Sequence, residues 1–398
     1  SEVIAVNRVL TFATLLLVLL ATPQYAGAQS ADRGMRGQFR AIIDGLNNNT
    51  FSKFHDAIDD KELMSRIFGT HVLDDEAKQA FAANFRTNLE GIFTGSMPRA
   101  RTQAEAGGEI IGKIIFFEAQ DGQGRAIVRY AASGYRYSYH SYDLAMGKGG
   151  RLRIVDWFDY YQAAWFSEIA GNELVRAMPG QASVRSILEM NNPTEGQLFQ
   201  VGELLKAVRD QNPRRYFQIH DGLEEALRQE PYVVVLNFQY CRLIGDPTRL
   251  GAAVAALVES FPGEALHSLS LGEYYVSRRL FEQAIVEYDR FEGALGFKDG
   301  VSEAFKATSA MAVGDFERAQ EFALSATQVE PDLELSWWTL LRTRTAAQNY
   351  TGATEALTQL EDRFGYLLIP QKLQRDRFLK ILIDQQEYKD WRTSRDQA

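Results

Sequence analysis

A chain of 398 residues with one cysteine, Cys241, cannot close a disulfide within itself. Its stability has to come from packed apolar side chains, and the length gives room for two or three domains that each bury a core. Cys241 lies in an apolar helical stretch and reads as a small buried hydrophobe. Histidine is scarce as well: His55, His71, His140, His220 and His267 are scattered and make no zinc-ligand spacing. No metal site and no cofactor is expected. The phosphate-loop pattern G-x-x-x-x-G-K-[ST], the nucleophile elbow G-x-S-x-G and the H-E-x-x-H metal motif are all missing. Dense runs of Lys and Arg are missing too, which leaves no polybasic membrane patch.

The net charge of −9 is unevenly placed. Residues 35–160 carry 16 acidic and 16 basic side chains, whereas residues 161–398 carry 34 acidic against 25 basic. An acidic second half repels phosphate backbones, so nucleic acid is not an expected partner. Apolar runs of membrane-spanning length are lacking. The longest, Leu10–Ala21, has Arg8 before it and Pro23 and Ala26-Gly27-Ala28 after it. A basic start, a short apolar stretch and an A-x-A site are the layout of a secretory signal. The expectation is a signal peptide over 1–28, cleaved near Ala28, with the remainder exported to the periplasm or beyond and not stably inserted in a membrane.

What is present divides in two. From 35 to 93 the apolar residues recur at helical spacing: Phe39, Ile42, Ile43 and Leu46, then Phe51, Phe54 and Ile58, then Leu63, Met64, Ile67 and Phe68. A longer helix is predicted from about Asp74 to Phe93, with Phe81, Phe85, Leu89 and Phe93 in i, i+4 steps. The period then becomes two, and strands are predicted over 109–118, 124–132, 135–146 and 151–160. Short turns at Asp121-Gly122, Ser133-Gly134 and Gly147–Gly150 make these neighbours antiparallel. The reading is an α+β domain over 29–165, with helices packed on a four-stranded antiparallel sheet.

Helices leading into a four-stranded meander, closed by Arg151-Leu-Arg-Ile-Val-Asp-Trp-Phe-Asp-Tyr160, resemble the cone-shaped superfamily of nuclear transport factor two and ketosteroid isomerase. The same strand resembles that of periplasmic phospholipid carriers of related fold. That superfamily holds enzymes and pure binding domains alike, so the resemblance implies a fold and not an activity. It implies a cone that either holds a small molecule or lipid, walled here by Phe85, Leu89, Tyr130 and Phe158, or carries a catalytic carboxylate. Strand alternation separates His140 from Asp143, which leaves Asp156 as the single general-base candidate, on a face with Leu152, Ile154 and Phe158. The plainer reading of Asp156 is a carboxylate satisfied by Arg129 or a tyrosine hydroxyl. The cluster Tyr130, Tyr135, Tyr137, Tyr139 and Tyr142 reads more simply as cross-strand packing than as a pocket.

Beyond residue 165 no alternation is found. Residues 166–230 read as linking helices and 231–398 as a repeat. Leu280-Phe-Glu-Gln-Ala284, Asp315-Phe-Glu-Arg-Ala319 and Asn349-Tyr-Thr-Gly-Ala353 align, with their aromatics 35 and 34 residues apart. Gly272, Ala307 and Leu341 precede at one equivalent position, and Tyr288, Ala323 and Leu357 follow at another. These blocks resemble tetratricopeptide repeats, which stack helical hairpins into an α-helical solenoid. The resemblance implies a concave surface that binds a protein or peptide partner, lined here by Leu266, Leu269, Glu273, Val276, Val301, Thr308, Met311, Leu335, Trp338 and Arg342. An apolar groove of this kind needs cover, from an apolar partner segment or from the protein's own N-terminal domain or linking helices. The function expected is a non-catalytic exported adaptor, with a small-molecule or lipid carrier as the rival.

Overall fold

The computed structural model describes residues 25–69, 72–73, 75–96, 111–132, 136–177 and 179–397. The signal segment lies outside these except for its last residues, and His71, Ser133, Gly134 and Tyr135 also lie outside them. Among the described residues five helices precede the sheet: α1 (Tyr25–Asn47), α2 (Ser52–Ala57), α3 (Asp60–Gly69), α4 (Asp75–Ala83) and α5 (Phe85–Ser96). The helix expected over 74–93 is therefore two. Asn84 forms a turn between them and its side-chain amide bonds the Ala80 carbonyl at 3.3 Å. The stripe Phe81, Phe85, Leu89 and Phe93 nonetheless stays buried across the break.

The sheet follows as β1 (Ile111–Gln120), β2 (Gln123–Ala132), β3 (Arg136–Met146), β4 (Leu152–Asp159) and β5 (Ala164–Trp165), antiparallel throughout and in sequence order. Among the described residues it has five strands where four were expected. Two residues are too short to alternate, so β5 leaves no pattern in the sequence. Asp121 and Gly122, with φ of 53° and 79°, form the two-residue turn between β1 and β2. Two bulges interrupt the ladder: Ile115 in β1 and Val155 in β4 are extra residues relative to the neighbouring strand. The inner face of the sheet packs on α1–α5 through a core that includes Phe39, Phe54, Phe93, Tyr130, Tyr142 and Trp157, all at most 2% exposed.

Sixteen α-helices follow among the described residues: α6 (Phe166–Ala177), α7 (Gln181–Ser186), α8 (Glu195–Arg209), α9 (Pro213–Asp221), α10 (Glu225–Arg228), α11 (Pro231–Ile244), α12 (Pro247–Ser260), α13 (Ser268–Ser277), α14 (Phe281–Leu295), α15 (Gly300–Ala312), α16 (Phe316–Val329), α17 (Glu334–Ala346), α18 (Tyr350–Phe364), α19 (Pro370–Leu373), α20 (Leu379–Leu382) and α21 (Gln386–Asp396). Helix α6 lies on the inner core through Phe166 and Ala170, and α7–α11 form a second core around Leu198, Leu204, Tyr216 and Leu227. The C-terminal half is helical, consistent with a helical repeat. Helices α11/α12, α13/α14, α15/α16 and α17/α18 pair as hairpins. Asp246, Asp315 and Asn349 cap the second helix of three of these, each accepting backbone N–H bonds from the first turn. Gly272, Ala307 and Leu341 are buried where helices cross, and Ala284, Ala319 and Ala353 are wholly buried. No helix among the described residues is long and apolar enough to cross a membrane.

Candidate functional site

The two halves meet along one line of the molecule, and most of the sequence-predicted residues are decided there. The outer face of the sheet presents Ile127, Tyr139 and Tyr160, which share a buried cluster with Leu269, Phe291 and Leu295 of the helical half. Phe116 stacks on Phe297 with ring centroids 5.5 Å apart, and Tyr139 meets Phe291 edge-on at 4.9 Å. At the centre is Arg129, only 3% exposed. Its Nη1 donates to Asp299 Oδ1 (2.9 Å) and Glu330 Oε2 (2.7 Å), and its Nη2 donates to Glu330 Oε1 (2.6 Å). Tyr139 OH donates to Asp299 Oδ2 at 2.7 Å, and Lys113 Nζ reaches Glu330 at 2.7 Å. The Arg129 and Lys113 cations hold the Glu330 carboxyl below its usual range against the opposing effect of burial, while burial raises the Tyr139 hydroxyl.

Asp299 has a second task. Its Oδ2 accepts the N–H groups of Val301 and Ser302, so it caps α15 while it holds the sheet. Behind it, Glu292 accepts the Asp299 N–H and pairs with the buried Lys306, which also contacts Asp289 and Glu303. Burial raises the Glu292 carboxyl, and the Lys306 ammonium opposes that rise. The contact residues Phe291–Val301 and Glu330–Leu335 are the ends and starts of successive hairpins. The sheet thus sits across the edge of the array formed by its inter-hairpin loops.

This placement corrects the groove predicted from the repeats. Leu269 and Val301 are buried under the sheet side of the molecule, and Leu335 packs with Val301 and Tyr137. Met311 is covered by Phe378, Arg342 Nε donates to Asp376 at 2.7 Å, and Trp338 packs edge-on against Tyr366 at 5.1 Å. Glu273 is half-buried; Leu266, Val276 and Thr308 are exposed. The ten residues therefore do not line one open groove: the sheet covers one end of the row and the C-terminal segment the other.

The cavity prediction is corrected as well. Phe85, Leu89 and Tyr130 lie in the inner core, but Phe158 is on the outer face with Tyr160. The Val155 bulge shifts the alternation, so Trp157 follows Leu152 and Ile154 inward and Phe158 points the other way. The space assigned to a ligand is occupied by rings: Trp157 stacks on Phe166 with centroids 4.0 Å apart and meets Phe54 and Phe93 at 5.6 Å.

Asp156 is buried, as expected, and burial pushes its carboxyl up to about 6. The bulge separates it from Leu152 and Ile154: it lies opposite Asp143 in the ladder as Phe158 lies opposite Ser141. Its oxygens accept from Ser167 Oγ (2.6 Å), Ser167 N (3.2 Å) and Trp157 N (2.9 Å), with the Arg66 guanidinium at 3.7 Å. It ties the β4 bulge to the first turn of α6. Arg129, suggested as its partner, is instead in the clamp. Asp143 pairs with Arg66 at 3.6 Å. His140 lies opposite Asp159 in the ladder, with Nε2 and Oδ2 3.7 Å apart, and its Nδ1 is 3.3 Å from Tyr142 OH. The Tyr142 and Tyr130 hydroxyls are 2.6 Å apart. All four side chains are buried within the core. Asp299 and Glu330 were missed by the sequence reading. The only signal for Asp299 was its place before Gly300-Val301, which marks a helix cap and says nothing of a second partner.

Every element of the array turns at its other edge as well. Leu243 and Ile244 end α11, Leu280 precedes α14, and Val313 and Phe316 flank the turn into α16. These five are between 38% and 67% exposed.

No protein-family model and no curated protein sequence matches this chain. Among solved structures, the crystal structure of PilW, a widely conserved type IV pilus biogenesis factor, aligns over 51% of this chain and 93% of its own, at 12% identity and a TM-score of 0.34.

Proposed function

We propose that the chain is an exported, non-catalytic interaction scaffold, in which the sheet braces the helical array and the array receives a protein partner. The observation that carries this is the set of exposed apolar side chains at the turns within hairpins, Leu243, Ile244, Leu280, Val313 and Phe316. The opposite edge is closed by the sheet, so a partner meets the turns and not the row of residues first assigned to a groove. Large apolar side chains that recur at one edge of an array suit a partner with an apolar anchor. Export rests on the N-terminal signal pattern.

The test is photocrosslinking in the native host, with a benzophenone side chain introduced at Val313, at Phe316 and, as a control, at the exposed Phe199 of α8. A shared adduct at 313 and 316 that is missing at 199 is the expected result. Without any adduct at the two turn positions, the scaffold reading fails at this edge.

A further inference from the structure

Strand β1 is an edge of the sheet, and among the described residues no strand neighbours its other side. Its residues are exposed or half-buried except Gly112, whereas the middle of β2 is buried. The sequence Ile111-Gly-Lys-Ile-Ile-Phe-Phe-Glu-Ala-Gln120 is strongly apolar for an edge, which proteins ordinarily blunt.

Which groups point outward follows from the register. The two-residue turn closes on the Gln120–Gln123 pair, so Gln120, Glu118 and Phe116 direct their backbone groups at β2. Phe117 and Ala119 therefore direct theirs away from the sheet. Beyond the Ile115 bulge, Ile114 and Gly112 face outward. Gly112 confirms this phase, because both its groups are taken by one side chain: Gly112 N donates to Asn47 Oδ1 at 2.6 Å, and Asn47 Nδ2 donates to Gly112 O at 2.9 Å. The Asn47 amide stands in for a strand residue at that point. No comparable partner meets Ile114, Phe117 or Ala119 among the described residues.

We infer that this edge pairs with the β1 edge of a second copy of the same chain, antiparallel, about a two-fold axis between Ile115 and Phe116. The outward residues 112, 114, 117 and 119 are symmetric about that axis, and they are so only because of the bulge. Ile114 then exchanges hydrogen bonds with Phe117 of the second copy, and Ala119 faces Gly112, where Asn47 must give way. Lys113 falls opposite Glu118 in the closer, non-hydrogen-bonded pairs. The two have opposite charge and are 47% exposed and exposed, respectively. A lysine on an edge ordinarily repels an added strand; here Lys113 already bonds Glu330 of its own chain at 2.7 Å, and Glu118 of the second copy adds a second carboxylate to the same ammonium. The contact is one strand pair, so the dimer is concentration-dependent. This inference is independent of the turn edge and of any partner there.

The test is analytical ultracentrifugation of the chain as its host processes it, over a wide concentration range, with amide hydrogen exchange at low and high concentration. The expected result is a shift from one chain to two, with exchange slowed at Ile114 and Phe117 in the concentrated sample. Glu118→Lys sets lysine against lysine twice and should weaken the dimer about tenfold. Ala119→Pro removes an N–H that points away from β2, which an edge strand tolerates, and should abolish the dimer. Circular dichroism establishes that both variants fold. A chain that stays single at every concentration, or a dimer unmoved by Ala119→Pro, overturns the inference.

Discussion

Asp156 shows how a buried carboxylate can be occupied by structure. Three hydrogen bonds hold its charged form, yet burial outweighs them and lifts the carboxyl from 3.8 to about 6. The folded state therefore binds this proton more tightly than the unfolded chain does. Its contribution to stability is fully present below about pH 4 and is lost as the pH rises through about 6. Asp156→Asn, which cannot ionise, is expected to flatten the pH dependence of the urea midpoint between those limits. An unchanged slope across that window would show that other groups set it.

At the scale of the element, the hairpins rest on small residues at crossings. A Cβ on Gly272 would lie 2.8 Å from the Tyr288 ring, closer than any real Cβ contact. Gly272→Ala is expected to cost about 1–3 kcal/mol through overpacking, measured by thermal or urea unfolding. Here the sequence was informative: the equivalence of Gly272, Ala307 and Leu341, and of Phe281, Phe316 and Tyr350, is a local pattern that hairpin packing imposes. The strands were legible for the same reason, since alternation and turn residues are local. The Val155 bulge was not, because it adds one residue without a composition of its own, and it reversed the assignment of Phe158. The clamp was illegible for a different reason. Arg129 and Glu330 are 201 residues apart, and no periodicity joins a strand to a loop at that distance. The groove residues were placed on the right helices, but what covers them is a matter of tertiary docking.

For the whole molecule, the decisive contact is the sheet on the loop edge. Arg129 and Asp299 are both nearly inaccessible to solvent, so removing the cation leaves Asp299 buried without a positive partner and Glu330 with Lys113 alone. Arg129→Met is expected to destabilise the protein by about 3–5 kcal/mol and to separate the unfolding of the sheet from that of the array. Calorimetry would show one transition becoming two. Adding Glu330→Gln should recover part of the loss, because it removes the second carboxylate beside Asp299 and leaves only the half-exposed Lys113 to be solvated. A single unshifted transition in Arg129→Met would mean that the aromatic contacts alone hold the halves together.

The anchoring of Arg129 to two consecutive loops has a consequence for how such a chain can change over generations. A free array gains or loses a hairpin at modest cost, because each unit touches only its neighbours. In this chain Asp299 and Glu330 lie on loops either side of one hairpin, α15/α16, and a single guanidinium measures the distance between them. Insertion or deletion of a hairpin there would carry one anion out of reach. The repeat count is thereby indexed by the sheet, and length variation is confined to the units beyond the clamp.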